Sequence, residues 1–194
     1  MQKVLSADFN AARWERHGVN WMRSAKAKGY VGLVLDYGLP AEAKAKISEL
    51  KFRCVSPVPG PYGKYFSIAN SLKEGEKCLS APVDFEVKND FFDDDRLACC
   101  PDKNANLAGM VVPIVRLKKR AEAANIVEQT ILPAHGSLLD TTYLCADRRN
   151  WLLLCGLLSF FVGSEFLDVR CKDHERIVLN LFATYFPARV KVIK

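Results

Sequence analysis

The sequence lacks the motifs by which the commonest nucleotide-, phosphate- and zinc-dependent enzymes are identified. It has no G-x-G-x-x-G, no Walker loop, no H-E-x-x-H and no G-x-S-x-G. Dinucleotide-binding, P-loop, zincin and α/β-hydrolase interpretations therefore have no support. Histidine is scarce, with three residues in 194, and only His174 has a cysteine close by, Cys171, with no further cysteine or histidine in that segment. A zinc centre is not expected.

The cysteines show no disulfide or metal-binding pattern. There are seven, an odd number, and no two form a C-x-x-C. Most of them lie inside apolar stretches, which is typical of reduced core residues. No signal peptide is evident, because Val4 and Leu5 are followed by polar residues. We therefore expect a cytoplasmic protein.

Long hydrophobic runs are also missing. The longest, from Trp151 to Gly163, is shorter than the about 20 residues that a membrane-spanning helix needs. It predicts a buried core helix; a helix in peripheral contact with a membrane, following Arg148 and Arg149, is the alternative. The net charge of +6 is modest and fits an anionic small molecule, a polyphosphate or an acidic lipid surface. Basic residues form no stripe, which argues against nucleic acid.

The first half of the chain alternates between strand and helix patterns. Strands are predicted over residues 2–8, 31–36, 52–58 and 76–87, and helices over 11–28, 41–50 and 64–75. The run 31–36 is apolar throughout, as in a parallel strand that is buried on both faces. The alternation predicts an α/β fold, a single-domain three-layer sandwich around a mostly parallel, doubly wound sheet.

A polar residue lies at or near the end of each of these four strands: Asp8, Asp36, Ser56 and Asp84. Each of the three carboxylates alone is typical of a helix N-cap or a turn. Because the carboxyl ends of parallel strands lie at one edge of a sheet, the four together predict a ligand site at that edge.

The second half is less regular. Residues 85–104 are acidic and broken, and strands are predicted over 107–115, 138–146 and 188–194. Helices are predicted over 147–161 and 174–185, and 116–129 is either a helix or a basic flap.

Carboxylates are concentrated in the segment DFEVKNDFFDDD, residues 84–95. Hard divalent cations prefer such oxygens, and a diphosphate substrate would bring Mg²⁺ or Mn²⁺ with it. Asp84 and Glu86 would point to one side of a strand, so both are candidate metal ligands. For Asp93 to Asp95 an acidic solvated loop is the alternative.

The order of these features resembles a nucleotide-diphospho-sugar transferase of the GT-A glycosyltransferase fold. Residues 64–92 are similar to the family's segment of a basic residue, a helix and a strand that runs into Asp-any-Asp, with Pro82-Val83-Asp84 at that motif. Residues 138–151 are similar in layout to the family's Asn-any-Gly strand and the helix after it, with Asp140-Thr141-Thr142 at Asn-any-Gly. Residues 172–193 resemble the family's Asp-Gln helix, with Asp173-His174 at the pair.

The resemblance implies transfer of a sugar from a nucleoside-diphosphate sugar to an unknown acceptor, with Mn²⁺ or Mg²⁺ assisting. It places Asp8, Asp36 and Lys64 at the nucleotide, and Asp84 and Glu86 at the metal. Asp173 or Asp140 would contact the acceptor or donor sugar as catalytic residues, and His174 is a further candidate site residue. It also implies one domain over residues 1–194, with a nucleotide-binding half at 1–90 and an acceptor half at 105–194.

Two other classes stay open. A binding or scaffold protein could keep this fold without catalysis. A nucleotidyltransferase could use a related sheet, but it needs a glycine-rich loop near the first helix, and residues 6–18 have none.

Overall fold

The fold is a mostly parallel α/β arrangement, seen in a computed structural model that describes residues 1–60, 62–84, 89–101, 139–163 and 174–193. By packing, the chain divides into two compact units: Met1–Asp95 with Thr142–Leu152, and Arg96–Thr141 with Leu153–Lys194. The predicted halves at 1–90 and 105–194 remain a prediction.

The strands of the described residues are β1 Gln2–Phe9, β2 Val31–Asp36, β3 Arg53–Val55, β4 Glu76–Ser80, β5 Leu97–Pro101, β6 Leu139–Asp147 and β7 Val190–Val192. The helices are α1 Ala11–Arg13, a π-helical turn Trp14–Gly18, α2 Val19–Ala27, α3 Ala41–Glu49, α4 Gly63–Ser71, α5 Arg148–Gly163 and α6 His174–Tyr185, with short 3-10 helices at Asn89–Phe92 and Pro187–Arg189.

The first unit contains the regular part of the sheet. The strand order is β3-β2-β1-β4-β6-β5-β7, with β6 contributing residues to both units. β1 pairs in parallel with β2 on one side and with β4 on the other, and β2 pairs in parallel with β3. β6 is antiparallel to β4. Along the chain, β2 and β3 are thus added on one side of β1, and β4 is added on the other side. The order in which the strands are added therefore reverses at β1.

An aromatic cluster packs the first helical segment against the sheet. The Phe9 ring meets Trp14 and Trp21 edge-on, with centroids 5.4 and 5.6 Å away, and Trp21 meets Phe52 at 6.0 Å. Each such pair contributes about 0.5–1.5 kcal/mol beyond the area it buries. Phe52 in turn lies over Gly32, where an added Cβ would come within 2.2 Å of the ring. A glycine in this strand thus makes room for the cluster.

The segment Ala11–Ala27 is helical throughout, with a π-helical turn inside it. The Asn10 side chain caps its start by accepting the Arg13 backbone N–H at 2.8 Å. Inside the π turn, an added Cβ at Gly18 would lie 2.4 Å from the Trp14 ring. Gly29, with φ +73°, follows the segment, in agreement with the helix predicted over residues 11–28.

In the second unit, β5 pairs in parallel with β7. The buried Asn180 side chain of α6 accepts the Leu139 N–H at 2.9 Å and donates to the Leu139 carbonyl at 3.1 Å. It thus pairs with the first residue of β6 as a neighbouring strand would. Its amide also donates to the Arg176 carbonyl at 2.8 Å.

Two sequence-based predictions need correction. The fourth strand ends at Ser80, so Asp84 lies in a turn beyond it and not on a strand face shared with Glu86. Pro82, which has no N–H for a ladder, follows that end closely. The acidic stretch 85–104 was expected to be irregular, yet it contains the buried strand β5 at Leu97–Pro101. Glu86 and the predictions at 107–115 and 116–129 lie outside the described residues.

The cysteines of the described residues are free thiols, as expected. Burial raises the pKa of Cys78, Cys99 and Cys155 to about 12, so at neutral pH these thiols are protonated core groups. Cys54, by contrast, is exposed. Within the described ranges, no helix is both long and apolar enough to cross a bilayer.

Candidate functional site

The reversal of strand order at β1 marks the candidate site. In open α/β sheets, ligands bind at the carboxyl ends of the strands beside such a reversal, because the helices that follow diverge to opposite faces there. Asp8 is the penultimate residue of β1 and pairs with Leu35 of β2. On the other side, Ser6 pairs with Ser80, the last residue of β4. The Asp8 carboxylate therefore stands beside the reversal.

Two cations hold the Asp8 carboxylate. Arg13 Nη1 lies 2.7 Å from Asp8 Oδ2, and Lys64 Nζ lies 3.5 Å from Asp8 Oδ1. The three side chains are between 31% and 37% exposed, so solvent or a ligand can reach each of them. Two cations facing one carboxylate leave a local charge of about +1, which favours an anionic ligand.

Lys64 is positioned by a tight turn at the start of α4. Gly63 lies so close to Val58 that an added Cβ would be 1.7 Å from the Val58 carbonyl oxygen. The buried Ser67 hydroxyl donates to the Gly63 carbonyl at 2.6 Å and accepts the Val58 N–H at 2.8 Å. These contacts fix the first turn of α4, and with it the backbone from which the Lys64 side chain reaches Asp8.

Arg13 was missed by the sequence reasoning. It lies five residues after Asp8, across the turn that Asn10 caps, and this turn brings the guanidinium back to the strand end. A signal was present, since a basic residue in the first turn of a helix faces the unfavourable end of the helix dipole and needs a nearby anion.

Asp36 is the second residue that was predicted to bind the nucleotide. Its carboxylate is hydrogen-bonded within the turn that follows β2. Its carboxylate accepts the N–H groups of Gly38 at 2.9 Å and Leu39 at 2.6 Å, and Lys44 Nζ lies 2.7 Å away. Burial alone would raise the pKa of Asp36, but the hydrogen bonds from Leu39, Lys44 and Gly38 outweigh it, and the pKa is lowered. The structure thus gives Asp36 a turn-forming role, and its contact with a nucleotide remains a prediction.

Asp84 lies in a different place from the Asp8 cluster. It is exposed and lines a cleft with His17, Asn20, Ser24 and Lys28 of the first helical segment. Within the described ranges, no group of three or more His, Cys, Asp or Glu side chains is arranged to hold a metal ion. The described residues therefore do not by themselves fit a Mn²⁺ or Mg²⁺ site, and Glu86 lies outside them.

The remaining predicted residues belong to the second unit. Asp140 is the second residue of β6 and is half-buried. His174 begins α6, and Asp173 lies outside the described residues. The structure therefore groups Asp8 with Lys64 and adds Arg13. The roles of Asp140, Asp173 and His174 remain predictions.

Neither a protein-family model nor a curated protein matches the sequence. Solved structures do match in fold. The galactosyltransferase LgtC, in complex with donor and acceptor sugar analogues, has a TM-score of 0.58 at 15% identity, covering 100% of this chain and 73% of that one. An active-site mutant of LgtC gives a TM-score of 0.56 at 16% identity, with the same coverage. Mannosyl-3-phosphoglycerate synthase from Rubrobacter xylanophilus matches at a TM-score of 0.46 and 11% identity, covering 98% and 64%.

At this identity the likeness is one of fold. The chain has an α/β fold with a mostly parallel seven-stranded sheet, similar to the fold of the LgtC structures, and this confirms the predicted fold class.

Proposed function

We propose that this chain is a glycosyltransferase that binds a nucleoside-diphosphate sugar at the cluster of Asp8, Arg13 and Lys64. One observation carries the proposal: a half-buried carboxylate with two cations lies at the carboxyl end of β1, where the strand order reverses. The fold shared with LgtC, which was solved with donor and acceptor sugar analogues, supports the same interpretation.

The two cations suit a diphosphate. Arg13 and Lys64 are compensated by one carboxylate, that of Asp8, through ion pairs of 2.7 and 3.5 Å. Ion pairs this exposed contribute about 0–1 kcal/mol, so a diphosphate can recruit both cations at little cost to the fold. The guanidinium offers paired donors to phosphate oxygens, and the ammonium offers a mobile point charge.

Asp8 then becomes free to accept hydrogen bonds from the nucleoside. A carboxylate accepts but cannot donate, so its natural partners are ribose hydroxyls or a base N–H. Asp8 therefore serves as the polar anchor that orients the nucleotide, while the cations hold the phosphates.

Sugar transfer breaks the bond between the anomeric carbon and the diphosphate oxygen. A bond then forms from that carbon to an acceptor hydroxyl oxygen, and the hydroxyl proton leaves to a base or to solvent. Negative charge grows on the leaving diphosphate, and Lys64 and Arg13 stabilise it there. Asp140 and Asp173 are proposed to contact the sugars, with His174 beside them; no step is assigned to a metal.

The test measures nucleotide binding in two ways, by the shift in melting temperature and by calorimetry. UDP, GDP, CDP and dTDP are titrated separately, with and without Mn²⁺. A ligand that binds the folded state at 100 times its Kd stabilises it by about 2.7 kcal/mol, which raises Tm by several degrees. A shift without Mn²⁺ supports the cationic cluster; a shift that requires Mn²⁺ supports the resemblance-based metal ligands Asp84 and Glu86. No shift with any nucleotide would refute the proposal.

Variants locate the binding. Lys64→Met and Arg13→Met should each weaken the best nucleotide about tenfold or more, because each removes a charge-assisted contact to phosphate. Lys64→Arg should retain part of the affinity. Lys46→Met is the matched control, since Lys46 is an exposed helical lysine of α3. Equal affinities in Lys64→Met and Lys46→Met would place the nucleotide elsewhere.

A catalytically inactive nucleotide-binding protein is the second candidate. Pro82 stands where the resemblance has the first carboxylate of Asp-any-Asp, and the described residues hold no metal cluster. Release of free sugar or a glycosylated product from a nucleotide sugar separates the two: binding without turnover favours the inactive protein.

A further inference from the structure

The helix α5, Arg148–Gly163, has one buried face. Trp151, Leu154, Cys155 and Leu158 are each 2% exposed or less. These positions recur every three to four residues, so they line one side of the helix. This side accounts for the buried core helix that the apolar run predicted, and it leaves the other side of the same helix to be explained.

The opposite face of α5 is exposed to solvent, and it is apolar as well. Leu152 is 41% exposed, Leu153 37% and Phe160 58%, and Gly156 is exposed between them. At 3.6 residues per turn, these four positions lie within an arc of about 100°. They belong to one continuous helix, so their grouping follows from helical geometry alone. Exposed helix faces normally carry polar side chains, and a contiguous apolar one marks an interaction surface.

Positive charge borders this apolar face at the N-terminal end of the helix. Arg148 and Arg149 are exposed, and Arg149 lies four residues before Leu153, on the same arc. Within the described ranges, neither guanidinium forms an ion pair. The sequence of α5 contains no acidic residue, and the preceding Asp147 accepts the Asn150 N–H at 2.8 Å as a helix cap. The face therefore combines apolar side chains with two cations that no anion of the helix balances.

This combination matches the surface of a bilayer that contains anionic lipids. Interfacial helices bury an apolar face at the boundary between headgroups and acyl chains, while basic side chains reach the anionic headgroups. A second copy of α5 matches less well, because it offers no carboxylate to these arginines in a parallel or an antiparallel pair. The helix has 16 residues, fewer than the about 20 of a membrane-spanning helix, so it would lie in the plane of the membrane.

We infer that α5 docks the protein on an anionic bilayer. Leu152, Leu153 and Phe160 enter the boundary of the acyl chains, and Arg148 and Arg149 bind lipid phosphates. The sequence left core burial and membrane contact as alternatives for this helix, and its two faces allow both at once. The inference does not rest on the proposed function, since none of these residues belongs to the cluster assigned to the nucleotide.

The experiment is co-sedimentation of the full chain with phosphatidylcholine vesicles that contain either no anionic lipid or about one third phosphatidylglycerol. Binding to the anionic vesicles should be at least about tenfold tighter and should weaken as salt is added. Arg148→Gln and Arg149→Gln should each weaken it about fivefold, the effect of one charge near an anionic surface. Leu153→Ser and Phe160→Ser should each weaken it about tenfold, because less apolar surface is buried.

Matched controls come from α2. Arg23 is an exposed arginine, and Val19 is an apolar side chain that is 38% exposed. Arg23→Gln and Val19→Ser should therefore bind the vesicles as wild type does. Nucleotide affinity, measured on all these variants, should stay at the wild-type value and reports on the proposed function separately.

Phe160→Trp reports directly on the exposed face of α5. The native tryptophans Trp14, Trp21 and Trp151 are buried, so an indole at position 160 should be the one whose emission moves to shorter wavelength on anionic vesicles. Lipids with brominated acyl chains should quench it.

Four results would each overturn the inference: no binding to anionic vesicles, equal binding to neutral ones, variants of α5 that bind as their controls do, or an unmoved emission in Phe160→Trp. A lipid-free dimer that Phe160→Ser dissociates would also overturn it, because the face would then belong to a second copy of the chain.

Discussion

Lys64 Nζ lies 3.5 Å from Asp8 Oδ1, a contact that joins the start of α4 to the end of β1. The other oxygen of the same carboxylate is 2.7 Å from Arg13. Each of the three side chains is about one third exposed. Because water screens the ion pairs, each contributes only about 0–1 kcal/mol to the stability of the fold. The cluster is therefore a site that can exchange its internal contacts for a ligand.

This weakness predicts that Lys64→Met and Arg13→Met change the free energy of unfolding by less than about 1 kcal/mol, although they lower nucleotide affinity. Urea denaturation of the ligand-free variants measures the first quantity. A loss of several kcal/mol from either variant would contradict the prediction and mean that the cluster is a structural ion pair.

Gly63→Ala should disturb both the fold and the nucleotide cluster. The added methyl would lie 1.7 Å from the Val58 carbonyl oxygen, so backbone must move, at an expected cost of about 1–3 kcal/mol. Because Lys64 is the next residue, its ammonium should move as well, and nucleotide affinity should fall with stability.

Gly156→Ala provides the matched control for that change. Gly156 lies within α5, and an added Cβ there meets nothing within 4 Å. Alanine should stabilise this helix by about 0.5–1 kcal/mol. Urea midpoints that move in opposite directions for the two variants confirm the prediction; a neutral Gly63→Ala would refute it.

The pair of Arg53 and Glu76 should respond differently from the exposed cluster. Glu76 is 4% exposed, lies 2.9 Å from Arg53 and accepts the Lys73 N–H at 2.8 Å. Glu76→Gln removes the negative charge beside a partly buried guanidinium, and breaking a buried pair costs about 3–5 kcal/mol. Glu74→Gln, at an exposed neighbouring position, should change stability by less than about 0.5 kcal/mol. Thermal and urea denaturation of both variants test the contrast.

The sequence was sufficient for features that depend on local pattern. The apolar run Val31–Asp36 became the buried strand β2, and His174–Tyr185 formed the predicted helix. Asp8 and Lys64 were both predicted at the nucleotide, and the structure joins them by an ion pair. Strand ends and basic helix starts are local signals, and the parallel topology brings them together.

Features that depend on tertiary packing were not predicted. Arg13 reaches Asp8 through a capped turn whose direction the helical periodicity does not encode. β5 is a short strand after an acidic run, and its pairing with β7 depends on residues far away in the chain. The strand expected to reach Asp84 ended at Ser80. Asp84 thus became part of a cleft wall, a position that sequence spacing does not show.

Acid should weaken the turn that follows β2. The hydrogen bonds of Asp36 outweigh its burial and hold its pKa below the ordinary value of 3.8. A carboxylate with a lowered pKa contributes stability above its unfolded-state pKa, and this contribution is lost as pH falls through the folded-state value. Asp36→Asn should therefore be less stable than wild type at pH 7, and the difference should shrink below about pH 4. Urea denaturation across this range tests it, and a pH-independent difference would contradict it.

The contribution of Asn180 to stability should come from the hydrogen bonds of its amide group and not from the volume of its side chain. Its Nδ2 donates to the Leu139 and Arg176 carbonyls, and its Oδ1 accepts the Leu139 N–H. Asn180→Ala leaves these buried groups unpaired, at a cost of about 1–3 kcal/mol.

Asn180→Asp keeps the acceptor but faces two carbonyls with a carboxylate, so it should cost at least as much at neutral pH. Protonation restores one donor, so its deficit relative to wild type should decrease in acid. Hydrogen exchange of the Leu139 amide, together with urea denaturation, tests both variants. Wild-type stability in Asn180→Asp would show that this side chain does not hold α6 to the start of β6.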